Sequence, residues 1–362
     1  MNILHLRSSE FLGSPERLII GQVEHLPQYR SICGSYVRPR GDNRFLRECE
    51  RRGIATASIS ESFTGDWRIV AQVRELVARE EIDLVVSHDY KSNFYAYRAL
   101  RRTDVRQIAY FHGVTTEDMK VRIYNFIDRL VLRRLNRIVA VSGPTALRLE
   151  RMGISPDRIS VVPNAVADDM LRPENDISSE TADHVRIVAA GRLSHEKGYD
   201  LLLQAVSRIK DASPPFRVYL YGFGPEENRL KRMADDLQIK NFVEFCGFTD
   251  NLAEVFDRMD FLVLSSRSEG MPVVVLEAWA RRLGVVATAV GGVPDLIESN
   301  KTGVLMQPQS VADLVEKLNW AIENRSQLAQ FGRAGYDLVK EKYNFSRQAL
   351  LLAAIYESTV KP

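Results

Sequence analysis

Two glutamates that stand eight residues apart carry the most specific chemical signal in the sequence. Glu269 lies with Gly270 in a loop after an apolar run, and Pro272 favours the start of a helix that contains Glu277. A helix start offers free N–H groups and the positive end of a dipole, which suits a phosphate. Two carboxylates would repel a phosphate, so we expect them to bind neutral hydroxyls of a sugar and a ribose. Taken alone, Glu277 could instead cap a buried helix or pair with Arg281.

A second cluster, GRLSHEKG at residues 191–198, follows another apolar run. Arg192 can contact phosphate oxygens in a bidentate manner, and Lys197 adds a point charge. Both leave the carboxyl end of a predicted strand, where α/β sheets bind ligands. Together they could stabilise a leaving diphosphate without a metal. The segment has neither a P-loop nor a G-x-G-x-x-G pattern, which argues against ATPase and dinucleotide-binding functions.

The composition describes a globular protein with two domains. The chain has 362 residues, of which 45% are hydrophobic and 27% charged. Its three cysteines are far apart, so neither a disulfide framework nor a zinc cluster can be inferred, and a reducing cytosol suits them best. No D-x-D sequence is present, so we expect no bound metal and no other cofactor. We also expect no signal peptide and no membrane span.

Short apolar runs alternate with amphipathic helical stretches along the whole chain. This alternation predicts an α/β fold with parallel sheets covered on both faces. The clearest predicted helices are 66–80, 93–102, 120–135 and 346–356. The predicted strands are 2–7, 82–88, 107–112, 137–142, 159–163, 185–190, 217–221, 242–246, 260–265 and 285–289.

A polar, acidic stretch divides the chain into two halves. We expect residues 1–167 to form one domain, 168–184 a linker, and 185–342 a second domain. Residues 343–362 would add a helix that returns to the first domain.

Charge is distributed unevenly between the two halves. Residues 1–167 hold 26 Lys and Arg against 19 Asp and Glu, and residues 168–362 hold 23 against 28. Runs of arginine commonly form solvated helix faces. The alternative is contact with an anionic membrane surface or with a phosphorylated acceptor. We therefore expect a cytoplasmic protein whose basic half could meet the inner face of the membrane, and no nucleic-acid partner.

The spacing of these motifs resembles that of the retaining GT-B glycosyltransferases of family 4, in which two Rossmann-like domains face each other across a cleft. The G-R-L-x-x-E-K-G segment is followed some seventy residues later by E-G-x-P, and the resemblance covers nearly the whole chain. Further matches are GFGPE at 222–226, GF at 247–248, GGVPD at 291–295 and VPNAV at 162–166.

The resemblance implies that residues 1–167 form an acceptor-binding domain and residues 185–342 a nucleotide-sugar-binding domain. It also implies a role for each matching residue. Arg192 and Lys197 would bind the diphosphate of a nucleotide-sugar donor, Glu277 its ribose, and Glu269 its sugar. The donor would also contact Gly13, Gly191, Gly222, Gly270, Met271 and Pro272. Catalytic roles fall to His112, Arg192, Lys197 and Glu269.

The first half would contribute the residues that face the reacting sugar and the acceptor. His112 ends an apolar strand and matches the family histidine that faces the sugar, although a lone histidine is more often structural. His88 and Lys91 also stand at a strand end, on the acceptor side. The first loop has one glycine, Gly13, before Glu16, where family members often have a glycine pair.

The expected reaction is metal-independent transfer of a hexose-type unit to a hydroxyl acceptor, with retention of configuration, in polysaccharide or glycolipid biosynthesis. Closure of the two domains would exclude water from the donor. Two alternatives remain open. One is a nucleotide-sugar epimerase on the same fold, and the other is a non-catalytic subunit that binds a nucleotide sugar.

Overall fold

The computed structural model describes residues 1–39, 41–113, 119–172 and 183–361. The chain forms two compact units, which are described separately here. Unit 1 comprises Met1–Asn164 and Phe345–Pro362, and unit 2 comprises Ala165–Asn344. Residues 173–182 of the predicted linker lie outside the described residues.

Unit 1 is built on a seven-stranded parallel sheet with the order β3-β2-β1-β4-β5-β6-β7. The strands are β1 (Asn2–Arg7), β2 (Arg30–Val37), β3 (Ala55–Ser60), β4 (Leu84–Ser87), β5 (Arg106–Phe111), β6 (Arg137–Ala140) and β7 (Ile159–Val161). The helices between them are α1 (Ser14–Glu24), α2 (Arg44–Arg51), α3 (Arg68–Arg79), α4 (Tyr90–Leu100), α5 (Met119–Leu132) and α6 (Gly143–Arg151).

Unit 2 repeats this design with a six-stranded parallel sheet of order β10-β9-β8-β11-β12-β13. Its strands are β8 (Val185–Ala190), β9 (Phe216–Tyr221), β10 (Val243–Gly247), β11 (Phe261–Leu264), β12 (Gly284–Thr288) and β13 (Val304–Met306). Its helices are α7 (Tyr199–Ile209), α8 (Glu227–Asp236), α9 (Leu252–Asp257), α10 (Val273–Ala280), α11 (Val293–Leu296), α12 (Val311–Glu323) and α13 (Arg325–Lys342).

The last helix, α14 (Phe345–Val360), packs on unit 1. The ring of Phe345 lies directly against Gly21 of α1. Gln348 donates from Nε2 to the backbone oxygen of Pro163 at 2.6 Å, and the hydroxyl of Tyr29 donates to Glu357 at 3.1 Å. The chain therefore returns to unit 1 after completing unit 2.

Both units are Rossmann-like, and the predicted α/β class is confirmed. The central strands are fully buried: all four residues of β4 and of β11 lie in the core. Such strands read as continuous apolar runs because helices cover both faces of the sheet. In each sheet the strand order reverses beside the first strand of the unit, between β1 and β4 and between β8 and β11. Ligands of open α/β sheets bind at the carboxyl ends of the strands at such a point.

The predicted elements match the observed ones within a few residues, but the strand list was incomplete. The segments of β2, β3 and β13 were not predicted. In β3 the sequence ATASIS offers one large apolar side chain, Ile59, and only that residue is buried. An edge strand of this kind has no continuous apolar run for the sequence to reveal.

Within the described residues, none of the helices is long and apolar enough to cross a membrane.

Candidate functional site

In unit 2, two loops meet at the point where the strand order reverses. The loop after β8 ends in a short 3₁₀ turn that contains Lys197, and the loop after β11 contains Glu269. Nζ of Lys197 lies 2.7 Å from Oε1 of Glu269, and Ser266 donates to the same oxygen at 2.6 Å. The side chain of Glu269 is only 8% exposed, and its charge-assisted hydrogen bond with Lys197 compensates the buried charge. Two residues predicted from separate motifs thus form one ion pair.

Two glycines allow these loops to approach each other closely. Gly222 has a φ of 138°, and a Cβ there would come within 1.9 Å of the backbone oxygen of Gly191. Gly291 has a φ of 52°, and its Cβ would come within 1.7 Å of the backbone oxygen of Glu269. Any side chain would therefore push apart the loops that hold Arg192 and Glu269.

Helix α10 begins directly after the Glu269 loop. Pro272 is its N-cap residue, as the sequence analysis expected of a helix start, and Glu277 lies on its buried side with 8% exposure. Arg281, the structural partner considered for Glu277, forms a bidentate ion pair with Asp257, at 2.8 Å through Nε. One short segment, residues 270–277, thus contains Gly270, Met271, the amino end of α10 and the buried carboxylate of Glu277.

A further ion pair fixes the two loops on the sheet. Arg267 binds the carboxylate of Asp200 on α7 in a bidentate manner, at 2.6 and 2.8 Å. It also donates to the backbone oxygen of His195 at 3.0 Å. Asp200 and Arg267 lie 67 residues apart, and neither was predicted from sequence. Arg192 and His195 are exposed, so the cationic edge of this site is open to solvent.

In unit 1, three histidines and a tyrosine form a stacked array at the ends of β1, β4 and β5. Nδ1 of His5 and Nε2 of His88 lie 3.2 Å apart, within a hydrogen bond. The ring of Tyr110 stacks on both His88 and His112, with centroids 5.6 and 5.0 Å away. Nε2 of His112 is buried, and no described residue offers it a hydrogen-bond partner. A polar atom of this kind is expected to meet a ligand or water.

Burial keeps these histidines neutral at physiological pH. Desolvation lowers the pKa of His5 to about 4 and that of His112 to about 3, where the charge of Arg7 adds to the effect. The pKa of His88 is also lowered, mainly by burial and then by the neighbouring His5, His112 and Arg7. His112 can therefore offer a neutral imidazole to a ligand, with one nitrogen that donates and one that accepts.

The acceptor-side residues predicted from sequence all have partners within unit 1. Oε1 of Glu16 accepts from Arg7 at 2.9 Å, and Oε2 accepts from the backbone N–H of Gly13 at 2.9 Å. Arg7 also donates to the backbone oxygen of His88 at 2.8 Å. Glu16 thus closes a capping box at the start of α1 while it holds Arg7.

Lys91 stands on α4, where it binds Glu61 at 2.6 Å and lies over the ring of Tyr36 at 4.5 Å. Glu61 is only 4% exposed, so Lys91 compensates a buried charge. The arrangement of Lys91 is therefore that of a structural ion pair.

Among the described residues, no group of three or more His, Cys, Asp or Glu side chains is arranged to hold a metal ion.

Two family models match consecutive parts of the chain. The model for glycosyltransferase family 4 matches residues 30–169, and the model for glycosyl transferases group 1 matches residues 173–338. The chain belongs to the glycosyltransferases of the group 1 and family 4 type.

Two proteins named as glycosyltransferases, or as a subunit of one, resemble the chain in sequence. The GPI3 subunit of the phosphatidylinositol N-acetylglucosaminyltransferase of Saccharomyces cerevisiae is 26% identical over 295 residues, which cover 78% of this chain and 65% of that protein. WcaL of Escherichia coli, a putative colanic acid biosynthesis glycosyltransferase, is 29% identical over 217 residues, which cover 58% and 53%. The chain thus spans between half and two thirds of these relatives.

The fold also matches a solved structure over its whole length. Anabaena HepE in complex with UDP-glucose has a TM-score of 0.88 and 20% identity, with 99% of this chain and all of that chain covered. This likeness shows the fold alone, and it confirms the predicted GT-B fold.

The sequence motifs pointed to the two loops that carry Lys197 and Glu269, but they did not reveal the side-chain contacts that hold these loops. The side chains of Ser266, Asp200 and Arg267 were missed, as were His5 and Arg7 in unit 1. His5 and Arg7 stand in β1, and alternation along that strand gives no sign that a histidine lies inward against His88. The one available signal was the position of Arg7 at the carboxyl end of the first strand.

Proposed function

We propose that this protein transfers a hexose-type sugar from a nucleotide-diphosphate sugar to a hydroxyl acceptor, with retention of configuration and without a metal. The 2.7 Å ion pair between Lys197 and Glu269 carries this proposal. It joins a cation suited to a phosphate and a carboxylate suited to sugar hydroxyls at the carboxyl ends of β8 and β11. The complex of HepE with UDP-glucose supports the donor class.

The diphosphate would lie against Lys197, the exposed Arg192 and the amino end of α10. Lys197 is a point charge and Arg192 a planar fork, so the two suit different phosphate oxygens. Glu277, buried in the second turn of α10, would accept hydrogen bonds from the ribose hydroxyls. Gly191, Gly222, Gly270, Met271 and Pro272 would supply backbone contacts and shape.

In the reaction, the bond between the anomeric carbon and the phosphate oxygen breaks, and the acceptor oxygen bonds to the same face of the sugar. The acceptor proton passes to the leaving phosphate. Negative charge grows on the leaving group as the bond breaks, and fixed cations and N–H groups stabilise it without reorganisation. Loss of one such group costs about 10²–10³-fold in rate.

The proposed role of His112 is a hydrogen bond from its neutral ring to a sugar hydroxyl. The buried Nε2 favours a hydrogen bond to a ligand. The low pKa of His112 disfavours general-base catalysis, because an efficient base at neutral pH needs a pKa closer to 7. Glu16 and His88 would position the loop at Gly13 and the ring of His112, and Lys91 would stabilise the fold of unit 1.

The acceptor class is proposed from the relatives. The yeast relative is named for a phosphatidylinositol acceptor and the bacterial one for colanic acid biosynthesis. We propose a lipid-linked or glycan hydroxyl for this protein, in glycolipid or polysaccharide biosynthesis.

Two other functions are separated from this one by their products. A nucleotide-sugar epimerase would change the donor without releasing nucleoside diphosphate. A non-catalytic subunit would bind the donor and leave it unchanged. Family membership favours transfer over epimerisation.

The test supplies radiolabelled UDP-, GDP- and ADP-hexoses in EDTA, with a lipid extract as the source of acceptor. We expect one donor to give labelled lipid or glycan and an equal amount of nucleoside diphosphate. Arg192→Ala should reduce the rate about 100-fold, whereas Arg208→Ala, an exposed arginine on α7, should leave it unchanged. Donor binding without release of nucleoside diphosphate would refute transfer and indicate the non-catalytic subunit.

A further inference from the structure

One face of unit 1 exposes large apolar side chains beside arginines. Phe63 is 60% exposed, Trp67 59%, Phe126 62% and Leu130 36%. Scattered apolar residues are normal on a surface, but a contiguous group surrounded by polar residues marks an interaction site. We call this group, together with Arg98, Arg101 and Arg134, the aromatic–arginine face.

Side-chain contacts connect Trp67 with the groove between α4 and α5, and Phe63 lies four residues before Trp67 in the chain. The ring of Trp67 packs edge-on against Phe94 of α4 at 5.7 Å, and the guanidinium of Arg98 lies over Trp67 at 5.5 Å. Phe94 and Arg98 in turn line a groove of about 310 Å3 between α4 and α5. The other residues of the groove are Tyr97, Arg101, Ile127, Leu130, Val131 and Arg134. Phe126 extends the face, one helical turn before Leu130.

The charged side chains that line the groove are all arginines. Helix α4 contains no acidic residue, and α5 contains one, Asp128. Asp128 is 8% exposed and accepts from Asn93 at 2.8 Å inside the unit. Asp66, beside Trp67, is 1% exposed and paired with Arg68. Arginine side chains thus surround an apolar centre, and the carboxylates of Asp66 and Asp128 are buried beneath it.

This combination fits an anionic lipid surface. Tryptophan and phenylalanine rings partition into the boundary between headgroups and acyl chains, while arginine stems lie on the rings and their charged ends reach lipid phosphates. Anionic lipids attract each nearby arginine at the membrane surface.

We propose that the aromatic–arginine face docks unit 1 on an anionic lipid bilayer. The inference deepens the proposed function, because docking would bring the protein to a lipid-linked acceptor. It stands on residues that take no part in the proposed donor site.

The test measures sedimentation of the full chain with vesicles of phosphatidylcholine, with and without about one third phosphatidylglycerol. No nucleotide sugar is added, so the result does not depend on transfer. We expect binding to the anionic vesicles only, weakened by salt. Binding equal on both vesicles, or on neither, would overturn the proposal.

Two pairs of variants separate this face from general surface effects. Arg101→Ala with Arg134→Ala should weaken binding about 30-fold, whereas Arg47→Ala with Arg51→Ala, the same change of charge on the exposed side of α2, should have little effect. Phe126→Ser should weaken binding more than Leu350→Ser on α14, where the leucine is 66% exposed. Equal losses in the members of either pair would contradict the assignment.

Tryptophan fluorescence reports on the face directly. Trp67 is exposed, whereas Trp279 is fully buried and Trp320 packs against Phe331. Anionic vesicles should shift the emission to shorter wavelength, and Trp67→Phe should remove the shift while vesicle binding persists. A shift that survives in Trp67→Phe would show that another surface inserts. A dimer that is lost in Phe126→Ser, without vesicle binding, would assign the face to a second copy of the chain and overturn the proposal.

Discussion

Lys197 and Glu269 come from motifs 72 residues apart, and their side chains meet with 2.7 Å between Nζ and Oε1. The lysine follows the first strand of unit 2 and the glutamate follows the fourth, and these two strands are neighbours in the sheet. The order of the strands therefore brings together the proposed phosphate-binding group and the proposed sugar-binding group. The ion pair also holds both side chains in place before a donor arrives.

Removal of Lys197 should affect both stability and catalysis. Lys197→Ala leaves a nearly buried carboxylate without its cation, so we expect a loss of about 1–3 kcal/mol in the free energy of unfolding. The rate of transfer should fall about 100-fold. Lys197→Ala combined with Glu269→Gln should recover most of the stability and none of the activity. Urea unfolding and initial rates measure the two effects, and recovery of activity in the double variant would contradict the phosphate role of Lys197.

Gly291→Ala should be severely destabilising. The added Cβ would overlap the backbone oxygen of Glu269, and the φ of 52° is itself unfavourable for alanine. We expect a loss of more than about 3 kcal/mol. Gly247→Ala is the control, because its φ is 71° but no atom lies within 4 Å of its Cβ, so only about 1 kcal/mol should be lost. Thermal denaturation that ranks the two variants equally would show that the close approach of the loops is not required.

His112 should act without changing its charge. Because its pKa is about 3, the rate of transfer should show no inflection near pH 6.5 that depends on this residue. His112→Gln, which keeps a donor and an acceptor, should retain more activity than His112→Ala. The measurement is the pH profile of kcat/KM for the three proteins. An inflection near pH 6.5 that disappears in His112→Gln would assign acid–base chemistry to the ring instead.

His5 should make unit 1 sensitive to acid. Its pKa is about 4 in the folded protein but near 6.5 in the unfolded chain, so the unfolded chain binds more protons between these values. Stability that is complete above pH 6.5 is therefore lost as the pH falls towards 4, by about 3 kcal/mol in total. His5→Asn cannot take up this proton and should lose less stability over the same range. Urea unfolding at pH 7, 5.5 and 4 tests the difference, and parallel curves for the two proteins would refute it.

The sequence was most informative where function requires a residue type at a fixed spacing. The GRLSHEKG and SEGMP segments pointed to the two loops that meet through Lys197 and Glu269, because cations, glycines and carboxylates there follow predicted strands. The continuous apolar runs of β4 and β11 predicted the sheets for a different reason, because strands covered on both faces need apolar side chains throughout.

Contacts between distant segments could not be predicted in this way. The ion pair of Arg267 with Asp200 and the hydrogen bond of His5 with His88 depend on which strands are neighbours, and local patterns do not encode that order. The aromatic–arginine face had a partial signal, since the arginine runs were visible. Its apolar residues became apparent only when α4 and α5 showed which side chains are exposed.

Above all, we propose that unit 2 binds the diphosphate of a nucleotide sugar through Arg192 and Lys197. The most direct measurement is the melting temperature with UDP-, GDP- and ADP-sugars and the free nucleotides, in EDTA, because a ligand of the native state raises it. We predict a rise with one nucleotide family that is lost in Arg192→Ala and Lys197→Ala and retained in Arg208→Ala. No rise with any donor in a well-folded sample, or a rise that survives in both variants, would contradict the account.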